Sequence, residues 1–123
     1  MDEELVQLPR EYATPKGRLL LAEWNDAAVG CAALRPLVSS QLTHACEIRR
    51  VYVRPEFRGV GIGHALVDRL IADARAIGYR QMLLNTLPSM ARAQTIYRKL
   101  GFVEVRPYVE KPSDGVVYLS LDL

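Results

Sequence analysis

The chain has only two cysteines in 123 residues, Cys31 and Cys46, each in an apolar, strand-like setting. With nothing to mark a secreted protein, they are expected to be buried thiols rather than a disulfide. No apolar run approaches the ~20 residues that cross a bilayer, so no membrane association is expected. The acidic start Met1-Asp2-Glu3-Glu4 lacks the basic-then-apolar pattern of an export signal, so the expected location is cytoplasmic. A net charge of +2 is too small to argue for nucleic acid as a partner. Repeats, linkers and low-complexity stretches are absent too.

What is present is an ordinary globular composition, 50% apolar and 24% charged, at a length that suits one domain over residues 1–123. A helical turn is expected over Glu3–Leu8, then loop to Gly17. Strands are expected at Arg18–Trp24 and Ala28–Arg35, joined by a hairpin turn at Asn25-Asp26-Ala27. A polar loop over Pro36–His44 precedes a strand at Glu47–Val53. A helix follows from His64 to Ile77, with Ala65, Leu66, Leu70, Ile71 and Ala74 on one stripe and Gly78 as its stop. Then come a strand at Gln81–Leu87, a helix from Pro88-Ser89 to about Leu100, and strands at Phe102–Arg106 and Val116–Leu121. Helices between the later strands make this a mixed α/β sheet with one parallel crossover.

Arg58-Gly59-Val60-Gly61-Ile62-Gly63 lies between the Glu47 strand and the first long helix. Glycines at such a junction let the backbone approach a ligand and point successive N–H groups at it. The helix start adds unpaired N–H groups and the positive end of its dipole, which together suit phosphate oxygens. Two nucleotide motifs do not fit. A P-loop needs Gly-Lys-Ser/Thr, and Gly63 is followed by His64-Ala65. A dinucleotide fingerprint needs another glycine spacing and an acid at the end of the next strand, where this chain has Asn85. Arg49, Arg50, Arg54 and Arg58 cluster before the turn, either as a solvated strand face or with one or two of them meeting phosphates.

Arg58-x-x-Gly61-x-Gly63 resembles the Arg/Gln-x-x-Gly-x-Gly/Ala signature of the GNAT family of N-acetyltransferases, with Val51-Tyr52-Val53-Arg54-Pro55-Glu56-Phe57 before it and Ala65-Leu66 after it. Some thirty residues later, Ala93-Gln94-Thr95-Ile96-Tyr97-Arg98-Lys99-Leu100-Gly101-Phe102 resembles the family's A-x-x-x-Y-x-x-x-G-F landmark. The resemblance covers about Arg18 to the C-terminus. It implies an acyl-CoA N-acyltransferase fold: a mostly antiparallel mixed sheet whose single parallel pair, the Glu47 and Leu83 strands, splays at one end. Acetyl-CoA is then the acetyl donor, with no metal. Its pantetheine arm lies along backbone near Val51, Tyr52 and Val53, and its pyrophosphate on Arg58, Gly59, Val60, Gly61, Ile62, Gly63 and His64.

The same resemblance makes Tyr97 the proton donor to the departing thiolate and Glu47 the base that relieves the amine of its proton, directly or through water. An alkyl ammonium with a pKa of about 10 needs such a base near neutrality. Against these roles stand Tyr97 as core packing and Glu47 as a carboxylate paired with a neighbouring arginine. Glu23 and Glu104 are weaker rivals for the base. His44 and Cys46, two apart on a strand-like run, would share a face, but neither a Cys-His nucleophile nor a metal site with Glu47 and His64 is supported. Met90 stands where many relatives carry an asparagine, which implies a drier pocket there.

Only seventeen residues precede the Arg18 strand, where family members usually carry a further strand and helices that wall the acceptor site. An N-terminally abbreviated acceptor half is therefore expected, with a homodimer as one way to complete it. The expected acceptor is a small-molecule or peptide amine. A non-catalytic acyl-CoA-binding module is the alternative.

Overall fold

The computed structural model describes residues 16–38, 42–109 and 111–123. The expected helical turn at Glu3–Leu8 lies outside them. Two strands open the described chain, β1 (Arg18–Trp24) and β2 (Ala27–Leu37), paired antiparallel. Asn25 and Asp26, both with positive φ (50° and 65°), close the hairpin between them. Strand β3 (Ala45–Val53) pairs antiparallel with β2, a short 3-10 turn spans Pro55–Phe57, and helix α1 (Ile62–Ile77) follows. Strand β4 (Gln81–Thr86), helix α2 (Ala91–Lys99), β5 (Val103–Val105) and β6 (Val117–Asp122) complete a six-stranded sheet ordered β1-β2-β3-β4-β6-β5. Every pair is antiparallel except β3 with β4.

Alternation along β3 divides the two faces of the sheet. Cys46 and Ile48 join Leu34, Met82 and Leu84 in the core, against the apolar stripe Leu66, Val67, Leu70, Ile71 and Ala74 of α1. Each large side chain buried there contributes about 1.5–3 kcal/mol. Glu47, Arg49 and Arg35 fall on the other face.

Most element ends fall within two residues of the sequence expectation, and two of the shifts have a local cause. Strand β2 runs on through Pro36 to Leu37 because β3 pairs with it as far as Leu37↔Ala45, whereas β1 pairs with it only as far as Leu34. Pro36 therefore sits beyond β1, where a missing N–H breaks no bond to that strand. Helix α2 begins at Ala91 rather than at Pro88: Met90 donates its N–H to the Leu87 carbonyl at 2.9 Å, closing a turn before the helix starts. His44 and Cys46 do not share a site. His44 is exposed at a left-handed position (φ 54°), whereas Cys46 is fully buried and its thiol faces the Gln81 carbonyl at 3.7 Å.

Candidate active site

The parallel pairing of β3 with β4 holds for three residues, Ala45 to Glu47 against Gln81 to Leu83, and then stops. Beyond that point β3 gains a residue relative to β2, between the pairs Ala33↔Arg49 and Cys31↔Tyr52. The extra residue is taken up where Arg50 has φ 57°, and the Cys31 thiol donates to the Arg50 carbonyl at 3.1 Å. A bulge of this kind turns the strand away from its neighbour. The gap holds a cavity of about 160 Å³, lined by Ile48, Val51, Leu84 and Thr86 with Tyr97 from α2, and by Arg49, Arg50, Asn85 and Met90.

Tyr97 is 6% exposed and meets Phe102 edge-on at 5.8 Å, so it packs in the core and lines the cavity at once. Burial pushes its hydroxyl up to about 12, so it keeps its proton well beyond neutrality. Thr86 lies on the same face as Leu84 and is 7% exposed. Its Oγ1 is the one buried side-chain polar atom among the described residues without a hydrogen-bond partner. Such an orphan costs about 1–3 kcal/mol unless something bonds it.

A larger groove of about 770 Å³ follows along β3 and α2, lined by Val53, Phe57, Arg58, Gly59, Gly61, Gly63 and His64 on one side and by Arg92, Thr95 and Lys99 on the other. Gly61, the N-cap of α1, has φ 93°, and no side chain caps the helix, so its first N–H groups face outward. A Cβ on Gly61 would meet nothing within 4 Å and would project into open space. Arg58 donates Nε to the Val53 carbonyl at 2.7 Å and lies 5.4 Å from the Tyr52 ring centroid. The charged residues that line the groove, Arg58, Arg92 and Lys99, are all cations, with no acid among the described residues there. Side chains of Tyr52 and Val60 are exposed, and Ile62 packs toward Gly30.

Glu47 is 2% exposed and both its oxygens are engaged. Arg35 donates Nη2 and Nε to Oε1 at 2.8 and 3.1 Å, and the Tyr108 hydroxyl donates to Oε2 at 2.6 Å. The expected arginine partner is therefore present, together with a tyrosine from the loop between β5 and β6. Tyr108 also accepts from Asn85 Nδ2 at 3.5 Å and stacks edge-on with Tyr118 at 5.3 Å. Burial first, and the Glu47 hydrogen bond next, hold its hydroxyl far above the usual tyrosine range. Glu23 is exposed at the hairpin, and Glu104 is an exposed partner of Arg98 at 3.4 Å. Sequence reasoning missed Tyr108, Thr86, Arg92 and Lys99. Of these, only Arg92 and Lys99 carried a signal, at i and i+7 on one helix face.

This geometry fits coenzyme A in three respects: an uncapped helix N-terminus behind a glycine cradle, a cationic groove for phosphates, and an orphaned hydroxyl in the gap beyond. The fold and site define an acyl-CoA-dependent acetyltransferase. The Acetyltransferase (GNAT) family matches residues 2–102, and the chain belongs to that family. It is 36% identical, over its whole length and 74% of the relative's, to an uncharacterized N-acetyltransferase of Schizosaccharomyces pombe. An IAA acetyltransferase of Azospirillum brasilense is 34% identical over 78% of this chain and 61% of its own. Among solved structures, a GNAT acetyltransferase of Elizabethkingia anophelis with acetyl-CoA bound superposes with a TM-score of 0.71 at 26% identity, over 98% of this chain and 83% of that one. No helix among the described residues is long and apolar enough to cross a membrane.

Proposed function

We propose that this chain transfers the acetyl group of acetyl-CoA to an amine by direct attack within the gap between β3 and β4. The observation that carries this is the parting of the strands after Glu47 and Leu83, with Tyr97 at the resulting cavity and the cationic groove beside it. Acetyl-CoA supplies a thioester whose acetyl carbon an amine nitrogen attacks, the C–S bond breaking to leave a thiolate.

The chain's own residues then have distinct tasks. Backbone N–H groups of the Arg58–His64 stretch hold the pyrophosphate, with Arg92 and Lys99 neutralising further phosphate charge. Exposed backbone at Val51–Val53 receives the pantetheine arm. Tyr97, protonated at working pH, gives its proton to the leaving sulfur. Both Glu47 oxygens already hold a donor, so its base role runs through Tyr108: the phenol oxygen takes the amine's proton as the phenol proton passes to Glu47 Oε2.

Coenzyme release measured against a panel of amines tests the proposal. Acetyl-CoA should raise the melting temperature by mass action, and Gly61→Val should abolish most of that rise, since a side chain there is strained and fills the groove. Ligand stabilisation without release for any amine would reduce the protein to an acyl-CoA-binding module.

A further inference from the structure

Charge on the sheet face away from α1 is unevenly matched. Arg35 and Arg49 both reach Glu47 Oε1. Arg35 makes two contacts there, at 2.8 and 3.1 Å, while Arg49 Nη1 stands at 3.5 Å. A carboxylate oxygen offers about two lone-pair sites, and Arg35 fills them at Oε1 while Tyr108 bonds Oε2. Arg35 is also the better buried of the two guanidiniums, its side chain 25% exposed against 43% for Arg49. One carboxylate thus serves two cations, and the nearer one takes it. Arg49 keeps most of its donors and lines the gap together with Asn85, and no acid lines that cavity among the described residues.

We propose that Arg49 marks a carboxylate subsite at this gap, so that the acceptor is an amine that also bears a carboxylate, an amino acid being the simplest case. The inference rests on the transfer reading above. A planar guanidinium at a partly desolvated opening binds a carboxylate through two parallel hydrogen bonds, which would hold the amine end toward the gap. The same charge repels an acceptor that is cationic overall, such as a polyamine, and so selects between amines of equal reactivity.

Coenzyme release from acetyl-CoA is measured with paired acceptors, each an amino acid and its carboxamide, for wild type, Arg49→Gln and Arg49→Lys. Amidation makes the ammonium more acidic and supplies more neutral amine, so intrinsic reactivity favours the amide. A preference for the acid therefore reports binding. The wild type should favour the acids by roughly 10- to 100-fold in kcat/KM. Arg49→Gln should bring that ratio close to one, chiefly by raising KM for the acid, and Arg49→Lys should recover part of it. Amides equal to or better than acids in wild type, or a ratio that Arg49→Gln does not move, would overturn the subsite while leaving transfer intact. No release with either set while another amine of the panel is acetylated would overturn the subsite alone, and no release with any amine would overturn transfer as well.

Discussion

Tyr108 donates its hydroxyl to Glu47 Oε2 at 2.6 Å across 61 residues of sequence, fastening the loop between β5 and β6 to the strand that opens the gap. If the pair relays the acceptor's proton, Tyr108→Phe and Glu47→Gln should both lower kcat/KM most at pH values well below the amine pKa. Raising the pH should rescue both, since alkali supplies the neutral amine directly. A merely structural tie would instead lower the rate by one factor at every pH. The pH profile of coenzyme release separates the two outcomes.

Thr86 presents two opposed expectations. Its Oγ1 is buried without a partner, so Thr86→Val removes an unsatisfied hydroxyl while keeping the branched shape. The ligand-free protein should become equally stable or more stable, by up to about 1 kcal/mol. Binding of acetyl-CoA should weaken several-fold, because the donor then loses the group that bonds it in the gap. Urea unfolding and a thermal-shift titration of the same variant check both halves. Lower stability together with unchanged affinity would show that Thr86 serves packing.

Stability should fall at alkaline pH from buried groups that keep their protons. Burial pushes the Cys46 thiol and the Tyr97 hydroxyl each up to about 12, whereas unfolded they titrate near 8.5 and 10 respectively. As pH rises the unfolded chain releases these protons first, so it binds fewer protons than the folded state and stability declines. The contribution is whole below about pH 8.5 and is lost progressively up to about pH 12, at no more than ~1.4 kcal/mol per pH unit for each group. Urea midpoints between pH 8 and 11 measure it, and Tyr97→Phe should flatten the slope above pH 10.

The framework of this site was legible in the sequence because its signals are local. The Arg58–Gly63 turn, the stripe on α1 and the Tyr97 landmark each declare themselves within a few residues, as does the β-rich run of β3. What sequence could not give is pairing over long separations. Glu47 and Arg35 meet because β2 and β3 set Arg35 opposite Glu47 in register. Tyr108 joins them from a loop whose path no periodicity encodes. Thr86 reads as an ordinary strand threonine until the parting of β3 from β4 strips it of a partner. Pro88 points to an earlier start for helix α2, since a proline often opens a helix, whereas here the Leu87–Met90 turn intervenes.

Tyr97→Phe separates chemistry from packing at the centre of the proposal. The ring and its edge-on contact with Phe102 at 5.8 Å survive the change. No hydrogen bond contributes to the hydroxyl's shift, which burial alone explains, so folding stability should change little. Affinity for acetyl-CoA should likewise stay within a few-fold, because the groove at the glycine turn is untouched. The rate of coenzyme release should nevertheless fall by roughly 10- to 1000-fold, the usual span for losing a positioned proton donor. Alkali should not restore it, in contrast to the Glu47 and Tyr108 variants, since raising the pH supplies neutral amine but no proton for the departing sulfur. A thiol with a lower pKa leaves without help, so an acetyl thioester of a more acidic thiol that still binds should narrow the gap between variant and wild type. A wild-type rate in Tyr97→Phe, or a loss that alkali repairs as fully as in Glu47→Gln, would remove Tyr97 from the proton-donor role.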